Sequence, residues 1–253
     1  MKSGVVGHEG YQLLRVELNQ GETFNIERGG LMYYDSIAIK GTLNSKKSGI
    51  GGMIGAIGRK LTTGESLFLT EVTGQRDGSL VVIAPPIMGN IHGLDCGQRQ
   101  FYLNTSAYLG SEPTVHYDVR TQSIGKALFG GTGGLFIAKT SGNGKLYINT
   151  FGDLVVINVE DYYELNVDNE HVVAWEDTVD YSIGVASGVF GFTSGEGLVN
   201  RFSGRGKVLL QSRNVENLAK VLVPHLPKTE SNNKPDSTNN RDRQQNNQRG
   251  RGG

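Results

Sequence analysis

One short pattern occurs three times in this chain: as TGESLFLTEVTG at Thr63–Gly74, as TGGLFIAKTSG at Thr132–Gly142 and as SGEGLVNRFSG at Ser194–Gly204. Each copy has a glycine, a small or acidic residue, an apolar run and a closing glycine. The spacing between the copies is too long for a solenoid of short repeats. It predicts three multi-stranded β-units within one domain.

The sequence around each copy also recurs. After each copy, a glycine leads into β-forming residues at 78–83, 144–149 and 206–211, which predicts a hairpin with a glycine turn. Before each copy lies a segment in which polar and apolar residues alternate, with Phe24, Phe101 and Tyr163 at matching places. Such alternation is typical of half-buried strands.

These patterns predict a mainly β fold of three degenerate β-repeats, at about 11–95, 97–159 and 160–212. The simplest arrangement places the repeats about a pseudo-threefold axis, as a β-prism or a closed three-sided barrel. Helical periodicity occurs only at Asn214–Val223, where Asn214 can cap the helix and Pro224 ends it. We therefore expect one β domain at 1–225 with one short C-terminal helix.

The segment 226–253 has a different composition. From Lys228 onward it contains no large apolar residue and is rich in Asn, Gln, Arg, Ser and Gly, so it is predicted to be a disordered polar tail. Its end, RGRGG, allows weak salt-dependent binding of RNA, whereas a solubilising or tethering role is the alternative. The candidate contact residues in the tail are Arg241, Arg243, Arg249 and Arg251.

Bulk composition narrows the classes of function. The 253 residues include 25 basic and 25 acidic side chains, so no overall charge favours nucleic acid or an anionic membrane. The single cysteine, Cys96, cannot form an internal disulfide, and the N-terminal sequence resembles neither a signal peptide nor a mitochondrial presequence. We therefore expect a cytoplasmic protein.

A glycine-rich, weakly apolar segment precedes each copy of the first pattern, at Ser48–Leu61, Ser123–Gly131 and Ser182–Phe192. If the repeats are related by an axis, these segments lie at one end of the domain. They either plug that end or contact a partner, another subunit or a bilayer surface. The residues of this candidate interaction surface are Met53, Ile54, Ile57, Leu128, Phe129, Val189, Phe190 and Phe192.

No sequence motif for catalysis, cofactor binding or metal binding is present. The glycine spacing fits neither phosphate-binding signature, and the five histidines are dispersed. The nearest approach to a metal site is His92-Gly-Leu-Asp95-Cys96, which a turn before a strand explains equally well. Trp175, the only tryptophan, is expected to pack in a half-buried strand. We predict no catalytic residue, no cofactor and no metal.

Three blocks together resemble one protein family: TGESLFLTEVTG, LVVIAPPIMGNIHGLDC and GGLFIAKTSGNGKLYINTFG. The chain is similar over about Glu9–Ser212 to the mitochondrial-biogenesis family named altered inheritance of mitochondria, protein twenty-four, in its prokaryotic branch. The resemblance implies a fold similar to the tryptophan RNA-binding attenuation protein, with three internal units. It supplies no catalytic residues, and it implies a scaffold, as in the eukaryotic members that support inner-membrane complexes.

The preferred interpretation is therefore a non-enzymatic scaffold or interaction protein, with self-association and peripheral attachment to a membrane both left open. Its expected partner is another protein or a second copy of itself. One alternative is an RNA-binding or other nucleic-acid-binding protein that uses its basic tail. The other is a β-barrel that binds a small ligand or acts as an enzyme.

Overall fold

The computed structural model describes residues 1–43, 68–122, 135–185 and 198–227. Nineteen β-strands and one α-helix lie in these ranges, so the prediction of a mainly β fold with one short C-terminal helix is confirmed. The chain forms two compact units, Met1–Asn217 and Leu218–Gly253, and every strand of the described ranges lies in the first.

The strands after β1 (Lys2–Val6) form three consecutive groups of six. Group 1 consists of β2 (Leu13–Leu18), β3 (Thr23–Glu27), β4 (Leu31–Asp35), β5 (Ile37–Leu43), β6 (Phe68–Gly74) and β7 (Ser79–Ile83). Group 2 consists of β8 (Gly89–Cys96), β9 (Phe101–Asn104), β10 (Tyr108–Ser111), β11 (Val115–Gln122), β12 (Leu135–Gly142) and β13 (Gly144–Phe151). Group 3 consists of β14 (Leu154–Asn158), β15 (Leu165–Asp168), β16 (Val172–Glu176), β17 (Val179–Val185), β18 (Leu198–Gly204) and β19 (Lys207–Gln211).

The same antiparallel pairings occur in each group. The sixth strand pairs with the first and the third, and the fifth strand pairs with the second and the fourth. By this pairing, β8 is the first strand of group 2 and β14 is the first strand of group 3. The predicted boundaries placed β8 in the first repeat and β14 in the second. The pseudo-threefold axis itself stays a prediction.

Two ladders join the groups, and each uses the third strand of one group and the second strand of the preceding one. These ladders pair β10 with β3 and β16 with β9. The described strands thereby form four sheets: sheet A (β1-β2-β7-β4), sheet B (β5-β6-β3-β10-β13-β8), sheet C (β11-β12-β9-β16-β19-β14) and sheet D (β15-β18-β17). The predicted closed three-sided barrel is wrong, because the described residues contain no ladder between β4 and β15 to close it.

The predicted hairpins between the fifth and sixth strands are also wrong. In group 1, β6 lies in sheet B and β7 in sheet A, and the other groups follow the same rule. The glycines between these strands do have left-handed backbone, with φ of +74° at Gly78 and +136° at Gly206. They therefore turn the chain from one sheet into the next. In the sequence, the alternation of polar and apolar residues looks the same on both sides of such a corner as on both sides of a hairpin.

Three apolar clusters hold neighbouring sheets together. One cluster takes its residues from sheets A and B, the second mainly from B and C, and the third mainly from C and D. In the third cluster the Trp175 ring is 1% exposed and lies 5.5 Å from the Tyr102 ring and 4.7 Å from the Tyr181 ring, measured between centroids. Trp175 is thus fully buried, more so than expected, and Tyr163 is fully exposed instead of facing the core.

The helix α1 spans Val215–Leu222, close to the predicted bounds. The Asn214 side chain accepts a hydrogen bond of 2.7 Å from the backbone N–H of Asn217, as an N-cap does. Among the described residues, no helix has the length and apolar character needed to cross a membrane.

Candidate functional site

A cleft of about 810 Å³ lies beside β8, an end strand of sheet B, and β14, an end strand of sheet C. Its lining is mixed: apolar side chains such as Ile91, Leu154 and Leu209 share it with a comparable number of polar ones. A concave site with apolar walls and convergent polar groups can hold a small ligand. The polar groups decide what such a cleft can bind.

Glu176 is the central polar group of the cleft. Its Oε1 lies 3.1 Å from Arg99 Nη1, and its Oε2 accepts a hydrogen bond of 3.1 Å from the backbone N–H of Lys207. The Glu176 side chain is only 12% exposed, whereas the Arg99 side chain is 65% exposed. The carboxylate is thus already satisfied, and the exposed Arg99 guanidinium is the group best placed to meet an anionic ligand.

His92 lies on the wall of the cleft in β8. Its Nε2 lies 3.3 Å from Thr150 Oγ1, and burial lowers the pKa of the imidazole below its usual value. The ring is therefore neutral near pH 7, because desolvation disfavours the charged form. A neutral imidazole can accept or donate one hydrogen bond, but it offers no positive charge to an anion.

His92, Asp95 and Cys96 all line the cleft, but their side chains do not converge on one point. Burial raises the pKa of the Cys96 thiol, which keeps it protonated and a poor nucleophile. Asp95 is adjacent to Cys96 in β8 and therefore points to the opposite face, where its Oδ1 lies 2.6 Å from Lys145 Nζ. In the described ranges no three His, Cys, Asp or Glu side chains are placed to hold a metal ion.

Sequence reasoning missed Arg99, Glu176 and Lys207 as neighbours. They come together because β16 pairs with β9 on one side and with β19 on the other. No local pattern signals such a set, since Arg99 precedes β9 in group 2, whereas Glu176 and Lys207 lie in two strands of group 3. The predicted interaction residues Met53, Ile54, Ile57, Leu128, Phe129, Val189, Phe190 and Phe192, and the tail arginines Arg241, Arg243, Arg249 and Arg251, lie outside the described residues.

Comparisons with known proteins found related chains and one family model. An uncharacterized protein of Streptococcus pyogenes serotype M6 is 39% identical over 88% of this chain and 89% of its own length. A crystal structure of a Streptococcus pyogenes protein has a TM-score of 0.72 and 32% identity, and the match covers 89% of this chain and 99% of that one. The likeness to the attenuation protein stays a prediction. The model of the family described as Mitochondrial biogenesis AIM24 matches residues 4–213, and the chain belongs to that family.

Proposed function

We propose that this protein is a non-enzymatic scaffold whose three glycine-rich segments contact a partner. The supporting observation is their place in the chain, because each one connects the fourth and fifth strands of its group. These strands pair up to the ends of the described ranges, with Leu43 opposite Phe68, Gln122 opposite Leu135 and Val185 opposite Leu198. The three segments thus occupy the same topological position.

The composition of the three glycine-rich segments favours contact with a partner over a role as simple turns. Tips of hairpins usually carry polar turn residues, whereas these segments carry Met, Ile, Leu, Val and Phe between glycines. Apolar residues gathered at one place on a protein mark a surface for another protein or a membrane. The strands β5, β11 and β17 that lead into the segments are each an end strand of a sheet.

A flotation assay tests this proposal with the double variant Phe129→Ser and Phe190→Ser. We expect the unchanged protein to float with vesicles of anionic phospholipid, and the variant to lose most of that association while its melting temperature stays within a few degrees. The control is Phe129→Leu with Phe190→Leu, which keeps the segments apolar and should float normally. Equal flotation of all three, with lower stability of the serine variant, would mean that these residues plug the domain. RNA retention that disappears when residues 229–253 are removed would favour the tail instead.

The cleft supports a second candidate function, the binding of a small anionic molecule. Its mixed lining and the exposed Arg99 guanidinium favour a ligand with one apolar part and one carboxylate or phosphate. A thermal-shift screen with organic acids and nucleotides is expected to raise the melting temperature for at least one compound. Arg99→Gln should abolish the shift, and Lys2→Gln, on the exposed strand β1, should leave it unchanged. A shift that survives Arg99→Gln would place the ligand elsewhere.

A further inference from the structure

Two strands of this protein lack the neighbour that their counterparts have. The third strand of group 2 pairs with the second strand of group 1, and the third strand of group 3 pairs with the second strand of group 2. By the same rule, β4 should pair with β15, the second strand of group 3. In the described structure β4 instead ends sheet A and β15 ends sheet D.

A bulge at the same position shows that β4 is the structural counterpart of β10 and β16. The register against the sixth strand shifts after the first residue of each third strand, which leaves Met32, Leu109 and Val173 as the bulged residues. Leu109 is fully buried and Val173 is 1% exposed, but Met32 is 58% exposed. Met32 therefore occupies a position that is buried in the other two groups but is not covered here.

Within residues 1–43, 68–122, 135–185 and 198–227, the edge of β4 also lacks the usual protection. Tyr33 and Tyr34 are 50% and 51% exposed, and Tyr162 and Tyr163, just before β15, are 51% and 104% exposed. Natural end strands are normally shielded by lysine, proline or a covering loop, because unpaired backbone groups invite another strand. Exposed tyrosines are instead typical of the centre of protein interfaces.

The two existing ladders fix the register of the missing one. Ala174 lies opposite Leu103, and Trp175 lies opposite Tyr102, in the ladder between β16 and β9. Ala174 and Trp175 are the first two residues after the bulge in β16, so their counterparts in β4 are Tyr33 and Tyr34. Leu103 and Tyr102 are the third and second residues of β9, so their counterparts in β15 are Val167 and Asn166. The expected pairs are therefore Tyr33 with Val167 and Tyr34 with Asn166.

Side-chain volumes fit this register. At Gly110, the counterpart of Tyr33, an added Cβ would lie 2.8 Å from the Phe24 ring, so a large residue has no room there. The counterpart of Phe24 in β15 is Leu165, which is smaller, and the counterpart of Ile26 is Val167. The larger residue in β4 thus meets smaller residues in β15, as close packing requires.

We infer that β4 of one copy pairs antiparallel with β15 of a second copy, completing a seven-stranded sheet β1-β2-β7-β4-β15-β18-β17. The partner is a second copy because the chain already builds this interface twice between its own groups. The contact joins two different edges, so it is heterologous and produces a closed ring or a filament. This inference goes beyond the proposed scaffold function, because the surface it names is the edges of β4 and β15 and not the glycine-rich segments.

The mass of the full-length protein in solution is the first test. Light scattering after size exclusion should give at least twice the monomer mass, and Met32→Lys with Tyr34→Lys should reduce it to the monomer without changing the circular dichroism spectrum. The matched control is Val155→Lys with Val156→Lys, because these residues are 45% and 50% exposed on β14, another end strand. A control that dissociates equally, or an unchanged protein that is monomeric at all concentrations, would overturn the inference.

Cross-linking tests the register. In a Cys96→Ala background, chains with Tyr34→Cys are mixed with chains with Asn166→Cys under mild oxidation, and a disulfide-linked dimer is expected only in the mixture. Asp168→Cys in place of Asn166→Cys lies off register and should link far more slowly. Dimers of Tyr34→Cys alone, or a link within one chain that carries both cysteines, would overturn the inference. Flotation by a protein that stays monomeric would leave the scaffold proposal intact while refuting this one.

Discussion

Replacing Gly89 with alanine is expected to destabilise the protein by about 4 kcal/mol or more, at the upper end of the effects of single substitutions. A Cβ at Gly89 would overlap with the carbonyl oxygen of Thr150, and it would also lie 2.8 Å from the carbonyl carbon of Thr150 and 3.0 Å from the backbone nitrogen of Gly152. The backbone N–H of Gly89 also donates to the Gly10 carbonyl at 2.8 Å, which limits any shift of the strand. Because the obstacle is backbone, no side-chain rotation can relieve it.

Gly41→Ala is the matched control. Gly41 lies in a strand, has no positive φ, and has no atom within 4 Å of the place a Cβ would occupy. Its free energy of unfolding should change by no more than about 0.5 kcal/mol. Urea unfolding followed by Trp175 fluorescence measures both variants, since the buried ring becomes exposed on unfolding. A loss at Gly89 no larger than that at Gly41 would contradict the close approach of β8 to Thr150.

Stability is expected to fall by about 2 kcal/mol between pH 5 and pH 8.5 because of Glu27, a figure that allows for solvent screening of this partly exposed carboxyl. Burial raises the pKa of this carboxyl from about 4.5 to about 7, and its Oε2 has no hydrogen-bond partner within the described part of the chain. The folded state therefore binds the proton more tightly than the unfolded chain. The stabilising contribution is complete below pH 4.5 and is lost as the pH rises through 7.

Glu27→Gln removes the titration but keeps the shape of the side chain. We expect this variant to match the unchanged protein at pH 5 and to be more stable than it at pH 8.5, by urea titration at each pH. Glu22→Gln should behave in the opposite way, because a hydrogen bond from the N-terminal ammonium lowers the pKa of Glu22. The loss of stability caused by Glu22→Gln should be present at neutral pH and should disappear in acid, where Glu22 is protonated in the unchanged protein as well. Parallel pH profiles for Glu27→Gln and the unchanged protein would refute the assignment.

Local patterns in the sequence predicted the strands well, because alternation along a strand is a local property. The segments around Phe24 and Phe101 are the strands β3 and β9 with buried apolar residues, and Asn214 caps the helix as expected. Pairing is not local, so the corners at Gly78 and Gly206 were interpreted as hairpins. The cleft around Glu176 was missed for the same reason, since its polar groups meet only after β9, β16 and β19 are aligned.

The sharing of each group between two sheets has a consequence for synthesis on the ribosome. When β3 and β6 have emerged, their sheet still needs β10, and β10 in turn needs β13, which ends at Phe151. The edge of β3 therefore stays open in the nascent chain until more than half of the protein has been made. A pause in translation before that point would leave a bare strand edge in the cell, and a chaperone that covers such edges is most needed in that interval.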